Sequence, residues 1–212
     1  MVQLITEKTK ERNVKTGCET LINLLMSVEF YPQEQSDAAG IRESGNEIPD
    51  ILDEAAYEAF WLLKMQDGKT GAVYSGLTEE NQSLKLEEFD VETCQYFIIA
   101  MAKFSYSMKK YDNVFATECL RASDAAWKYI EALRLSQREE DKELKSQIRE
   151  DLRFFGATEL FRASGAYRYH TAILEHVPNT EDESKWSKEG YLGIYTYLAT
   201  RLSVNRNVCE EW

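Results

Sequence analysis

The stretch from Ile48 to Asp67, IPDILDEAAYEAFWLLKMQD, constrains the fold of this chain more than any other. Its apolar residues recur at steps of three and four, which places them on one broad face of an α-helix. Pro49 suits the lead-in to a helix because its ring fixes φ, and either Asp50 or Asp53 can cap the first turn. The pair Asp67-Gly68 predicts the stop. The segment therefore predicts a well-capped amphipathic helix.

The same apolar spacing returns along the rest of the chain, and no window shows the strict alternation of a β-strand. Two long polar loops, 33–47 and 67–90, separate the helical segments, and the charge-dense stretch 136–147 fits either an exposed helix or a mobile linker. We therefore predict an all-α fold of about seven helices, packed as stacked antiparallel hairpins in one domain over residues 1–212. The other predicted helices span 14–30, 91–110, 113–135, 151–163, 166–177 and 185–202. Asp112 is the predicted N-cap of the helix over 113–135.

The charge balance limits the partners of the chain. Its 37 acidic and 25 basic residues give a net charge of −12. This sign argues against nucleic acid and anionic membranes as partners, and it fits neutral or cationic ligands or a solvated acidic surface. No apolar run is long enough to span a bilayer, and the first residues lack the regions of a signal peptide. As written, we expect a cytoplasmic chain or a piece of a longer one.

The cysteines and histidines do not predict a metal site. The cysteines share no CxxC spacing and have no neighbouring histidine, which argues against zinc. Cys94 and Cys119 fall in helical patterns and are interpreted as core residues. His170 and His176 are six residues apart, so they diverge on a helix and are expected to be ordinary surface or half-buried histidines.

Five segments, taken in chain order, resemble one known family. Residues 43–54, ESGNEIPDILDE, are similar to that family's ESGNGIPDLLDE, and residues 60–67 and 71–74 are similar to its WLLKMQD and GGVY. Residues 111–129 and 151–165 are similar to its YDPAFAAKCLAAAEKAWAYL and DDRFWAAAELYRATG. On these motifs the chain resembles the early-middle portion of the catalytic domain of glycoside hydrolase family 9, the cellulase and endoglucanase family.

The resemblance implies a fold and an activity. The family folds as a six-hairpin (α/α)6 barrel of twelve helices in an inner and an outer ring, with the substrate cleft across one end. Its members hydrolyse β-1,4-glucosidic bonds with inversion and are often secreted. The resemblance therefore implies a β-glucan or oligosaccharide as the partner of this chain, and part of such a barrel as its fold.

The chain departs from the family where the catalytic pair is expected. An inverting glycosidase needs a general acid and a general base on opposite sides of the scissile bond. The family's base lies in a DAGD motif just before the first helix, where this chain has residues 11–15, ERNVK, and DAGD occurs nowhere in it. The family's acid and its histidine and arginine substrate-binding motif belong to segments beyond Trp212. We therefore assign no catalytic residue and expect no activity from the chain alone.

An alternative interpretation makes the chain a non-catalytic helical module derived from this scaffold, which binds other proteins. An open half of a helical ring exposes an apolar edge. This reading predicts self-association or a partner chain at that edge.

A few residues qualify as binding candidates. Tyr74, in the second long loop, is the best candidate for a sugar contact, whereas Trp61 and Trp127 are interpreted as core residues of helices. The acidic cluster Asp50, Asp53 and Glu54 is interpreted as capping and compensation of the helix dipole rather than as an acid/base pair.

Calcium is the one cofactor that the resemblance raises. Asp151 matches an aspartate near a calcium site in some family members. The glycine-rich ligand loop that usually precedes it is replaced here by residues 147–150, QIRE. Because calcium takes six to eight oxygen ligands, we expect neither calcium nor another metal.

Overall fold

The described part of the chain is mainly α-helical, which confirms the predicted all-α class. A computed structural model describes residues 12–80, 83–175 and 187–211. Short 3-10 helices at Pro32–Glu34 and Glu139–Asp141 complete the helical segments. The helices are α1 (Val14–Phe30), α2 (Asp50–Leu63), α3 (Val91–Met108), α4 (Asn113–Leu135), α5 (Lys142–Ser146), α6 (Glu150–Ser164), α7 (Tyr167–Glu175), α8 (Lys188–Ala199) and α9 (Arg206–Glu211).

The prediction of no strand is wrong, because one strand precedes α1 and two lie in the loop between α2 and α3. Strands β1 (Arg12–Asn13), β2 (Gly76–Glu80) and β3 (Ser83–Leu86) form an antiparallel sheet in that order. All four residues of β3 are exposed, so the strand pairs through its backbone and buries no face. A strand without a buried face leaves no clear alternation of apolar and polar residues in the sequence.

Four helices, α1, α3, α6 and α8, form an inner row, and each packs on the next. At one end of the row, Lys15 Nζ of α1 lies 2.7 Å from Glu92 Oε2 of α3. Arg149, directly before α6, contacts that same Glu92 and also Glu189 in the first turn of α8. All four inner helices therefore begin at the same end.

The opposite end of the inner row holds a second set of ion pairs, which we call the axial network: Glu29, Lys103, Glu159, Arg162 and Thr196. Lys103 Nζ lies 2.6 Å from Glu29 Oε2 and 3.1 Å from Glu159 Oε1. Arg162 contacts both carboxylates, and the Thr196 hydroxyl donates to Glu159 Oε1 over 2.9 Å. Matching partners at both ends show that the inner helices run parallel.

The helices between the inner ones return the chain along the outside. Helix α2 packs on α1, α4 on α3 and α7 on α6, as expected for antiparallel hairpins. Nearly every residue of α3 and α6 is buried, whereas α2 keeps Tyr57 and Phe60 exposed and α4 keeps Val114 exposed. The two central helices of the inner row, α3 and α6, are thus distinguished from the outer helices by burial.

The prediction that Asp50 or Asp53 caps α2 is wrong, whereas the predicted cap of α4, Asp112, is confirmed. Pro49 is the N-cap of α2, and no side chain caps this helix. Asp50 instead faces the preceding loop, where its carboxylate accepts hydrogen bonds from Ala39 N at 2.5 Å and Ser44 Oγ at 2.8 Å. Asp112 caps α4 by accepting from two backbone N–H groups of its first turn.

Several predicted boundaries shift. Helix α2 ends at Leu63, four residues before Asp67, whose side chain orders the following turn by accepting from Thr70. The stretch 136–147 contains the second 3-10 helix and the short α5. Residues 176–186, part of the two predicted C-terminal helices, lie outside the described residues. No helix in the described part of the chain is both long and apolar enough to cross a membrane.

Candidate functional site

A cluster of charged and polar side chains joins the starts of the four inner helices. We call it the N-terminal cluster and define it as Lys15, Glu92, Tyr96, Arg149, Asp151 and Glu189. The loop that carries Tyr74 lies at the same end, because Ser75 O accepts a hydrogen bond from Val14 N, at the start of α1, over 2.9 Å. This end of the helical row is therefore the candidate functional site.

Arg149 is the centre of the N-terminal cluster. Its guanidinium donates to Asp151 Oδ2 at 2.5 Å and Oδ1 at 3.2 Å, to Glu92 Oε1 at 2.9 Å and to Glu189 Oε2 at 3.2 Å. Its backbone is held by the buried Gln95, which accepts from Arg149 N at 3.1 Å and donates to Arg149 O at 2.7 Å. One arginine thus connects α3, α6 and α8.

The local sequence explains why acidic residues gather here. Asn13, Asp90 and Ser187 cap α1, α3 and α8 through their side chains. Glu92 and Glu189 follow two residues after their caps, where a negative charge is stabilised by the positive end of the helix dipole. Parallel packing brings these helix starts together, so each acidic first turn faces the next.

Two carboxyl groups of the cluster, those of Glu92 and Asp151, are held in the ionised form by their contacts. Burial alone would raise the pKa of the Glu92 carboxyl, but its two cationic partners outweigh burial and keep that pKa below its usual range. The pKa of Asp151 is likewise lowered, because its hydrogen bonds with Arg149 outweigh burial. Burial and then the nearby Glu189 raise the pKa of the Tyr96 phenol. Glu92 and Asp151 are thus suited to bind cations and hydrogen-bond donors, and not to donate protons at neutral pH.

Raised carboxyl pKa values occur on α2 instead. Burial is the main cause of the raised pKa of Asp53 and of Glu58. Asp53 accepts a hydrogen bond from Asn46 Nδ2 at 3.2 Å, and Asp50 orders the same loop. Glu54 lies half-buried in the same turn region. The contacts of Asp50 and Asp53 support the structural interpretation of this acidic cluster over an acid/base role.

Tyr74 lies in a loop that is fixed on both sides. Its ring packs on Phe89, with 4.4 Å between ring centroids, and its N–H donates to Met65 O over 3.0 Å. Gly71 adopts φ +82°, and a Cβ there would run into the carbonyl of Ala125, so glycine allows the loop to approach α4. Tyr74 is half-buried and Phe89 is exposed. The sugar contact assigned to Tyr74 stays a prediction.

The remaining candidates lie in the core or at its edge. Cys94, Cys119 and Trp127 are buried, as predicted, and Trp61 is half-buried against the core. His170 is half-buried, with Nε2 2.9 Å from the Tyr197 hydroxyl, which matches its interpretation as an ordinary histidine. His176 lies outside the described residues.

Sequence reasoning missed Glu92, Arg149 and Glu189 as a group. A weak signal was present, since Glu92 and Glu189 each follow a capping residue by two positions. A single sequence, however, does not indicate that the starts of three separate helices lie in contact. Their distances along the chain, 57 residues between Glu92 and Arg149 and 40 between Arg149 and Glu189, hide the contact.

Comparison with known proteins gives consistent matches. The family model described as Glycosyl hydrolase family 9 matches residues 12–210. A xyloglucan-specific endo-β-1,4-glucanase of Bacteroides ovatus is 26% identical over 191 residues, covering 78% of this chain and 32% of that protein. Endoglucanase D of Acetivibrio thermocellus is 23% identical over 190 residues, covering 80% of this chain and 30% of that protein.

Solved structures match in the same way. A metagenome-derived glycoside hydrolase family 9 endoglucanase superimposes with a TM-score of 0.78 at 25% identity, covering 96% of this chain and 41% of that one. The structure of AaCel9A in complex with cellobiose-like isofagomine gives a TM-score of 0.78 at 20% identity, with 95% and 42% coverage. The chain thus spans about a third of the curated relatives.

Proposed function

The chain belongs to glycosyl hydrolase family 9, and from this premise we propose that it is a portion of an endo-β-1,4-glucanase scaffold. In this proposal it contributes one part of a (α/α)6 barrel and one wall of a cleft for a β-glucan or its oligosaccharides. The observation that carries the proposal is the family match over residues 12–210, together with the names of the endoglucanase relatives.

We propose further that the chain alone does not hydrolyse glucan. Inverting hydrolysis needs an acid and a base placed to leave room for a water molecule between them. The sequence contains no DAGD, and residues 11–15 stand in its place. Glu92 and Asp151 at the candidate site have lowered pKa values and are paired with cations, so neither is suited to act as the acid.

We expect the purified chain to release no reducing sugar from carboxymethylcellulose or barley β-glucan. The reason is the missing acid/base pair, without which neither bond cleavage nor activation of water is assisted. A full-length family 9 endoglucanase serves as the positive control, and heat-denatured chain serves as the blank. Sugar release that disappears on heating the chain would show that this part of the proposal is wrong.

Replacing Tyr74 with alanine is expected to weaken binding of cellohexaose. Loss of one aromatic stacking surface costs on the order of 1 kcal/mol, which is roughly a fivefold higher Kd. Isothermal titration calorimetry measures the effect, with Tyr74→Phe expected to retain binding. Tyr57→Ala is the matched control, because Tyr57 is an exposed tyrosine on the outer helix α2. Equal Kd values for Tyr74→Ala and the unchanged chain would remove Tyr74 from the proposed site.

Family membership favours the glucanase scaffold over the alternative of a non-catalytic interaction module. Both interpretations include an apolar edge of the chain that other helices cover. Helix α8 exposes Tyr191 and Leu198, which are seven residues apart and share one side of the helix, and the segment after it exposes Leu202. Gel filtration of the same preparation tests this edge. Self-association would support an apolar edge that other helices normally cover, and a purely monomeric chain would count against such an edge.

A further inference from the structure

Three carboxylates of the N-terminal cluster, those of Glu92, Asp151 and Glu189, converge on one point. Such an arrangement is typical of a cation site, and the resemblance places Asp151 near the calcium site of some family members. Calcium in proteins takes six to eight oxygen ligands, at distances of about 2.3–2.6 Å. Calcium would therefore have to take the place of any cation of the protein that already lies among these carboxylates.

Every one of those oxygens already accepts a hydrogen bond. Asp151 Oδ1 accepts from Leu152 N at 2.9 Å, and its Oδ2 accepts from Arg149 Nη2 at 2.5 Å. Glu92 Oε1 accepts from Arg149 Nη1 at 2.9 Å, and its Oε2 accepts from Lys15 Nζ at 2.7 Å. Both carboxylates are therefore already paired with cations of the protein, and a metal ion between them would compete with the Arg149 guanidinium.

Glu189 completes the same pattern. Its Oε1 accepts from the Tyr96 hydroxyl at 3.1 Å, and its Oε2 accepts from Arg149 Nη2 at 3.2 Å. Within residues 12–80, 83–175 and 187–211, no three His, Cys, Asp or Glu side chains are arranged to hold a metal ion. Calcium does not fit this cluster while Arg149 occupies its centre.

We propose that the Arg149 guanidinium is the built-in cation of the N-terminal cluster, in place of a metal ion. The guanidinium presents several N–H donors in a fixed plane, which matches carboxylates approaching from three helices. Arg149 thereby links the starts of α3, α6 and α8 without a metal, and the stability of the chain does not depend on calcium. This inference does not require that the chain bind a glucan.

The first test uses the unchanged chain. Its Tm is expected to be the same in EDTA and in calcium chloride, and calorimetry is expected to give no heat of calcium binding. A saturable rise of Tm with calcium, abolished in Asp151→Asn, would overturn the proposal, because a metal ion would then hold the cluster.

The second test removes the guanidinium. Arg149→Ala leaves three carboxylates facing one another with Lys15 as their remaining cation, so its Tm in EDTA is expected to fall by several degrees. Calcium, added alone, is expected to restore part of that loss, and the double variant R149A/D151N is expected to lose the calcium response. Magnesium is the comparison ion, since it requires a tighter octahedral site.

Arg138→Ala is the matched control for the second test. Arg138 also pairs with two carboxylates, Glu140 and Asp141, but lies exposed outside the inner row. It is expected to show no calcium response. A folded Arg149→Ala variant with no calcium response would contradict the proposal, as would an unchanged Tm. Arg149→Gln, which keeps much of the side-chain volume, replaces Arg149→Ala if the alanine variant does not fold.

Discussion

Replacing Lys103 with methionine is expected to destabilise the chain by about 3–5 kcal/mol, the usual cost of leaving a buried charge without its partner. Lys103 and Glu159 are both fully buried, and their Nζ–Oε1 distance is 3.1 Å. Methionine keeps most of the apolar part of the side chain but removes the positive charge that compensates the carboxylates of Glu159 and Glu29. Since a domain is typically stable by about 5–15 kcal/mol, the loss is a large share of the total.

Urea unfolding followed by circular dichroism measures this effect as a lower midpoint. Lys109→Met is the control, because Lys109 lies exposed just after the end of the same helix α3. We expect its midpoint to stay within the error of the unchanged chain. Equal midpoints for the two variants would show that the axial network contributes little to stability.

Replacing Gly193 with alanine is expected to cost about 1–3 kcal/mol, the usual penalty for overpacking a close contact. A Cβ at this position would lie 2.7 and 2.8 Å from two ring carbons of Phe154 and 3.1 Å from the Cα of Phe155. The ring is buried between α6 and α8 and has little room to move, so the two helices would have to separate.

Gly190→Ala is the matched control on the same helix. A Cβ there would meet only Ser187 Oγ, at the ordinary distance of 3.6 Å. Alanine is favoured over glycine inside a helix by roughly 0.5–1 kcal/mol, so this variant is expected to be slightly more stable. Thermal unfolding measures the difference, with a lower Tm expected for Gly193→Ala and a slightly higher Tm for Gly190→Ala. A Gly193→Ala variant as stable as Gly190→Ala would mean that α6 and α8 pack less closely than described.

The presence of the helices was the part of the fold most readily predicted from the sequence. The apolar residues of α1, α2, α3 and α4 follow the helical period because a helix presents one side to the core. Asp112 was identified as a cap because capping uses only neighbouring residues. The same local logic failed at Asp50, whose carboxylate bonds to Ala39, eleven residues away, instead of to its own helix.

The sheet and the axial network were missed for related reasons. Strand β3 buries no face, so its sequence carries no alternation. Glu159 and Arg162 are charged residues, and periodicity alone assigns charged residues to the surface. Both are buried here because Lys103 and Glu29, from two other helices, compensate their charges.

The sequence by itself determined the helical class, the order of the helices and the family, because period, caps and ordered motifs are properties of neighbouring residues. Only the tertiary structure decided that the starts of the inner helices meet and that Arg149 lies among Glu92, Asp151 and Glu189. These contacts join residues on separate helices, and they exist only once parallel packing brings the same ends of those helices together.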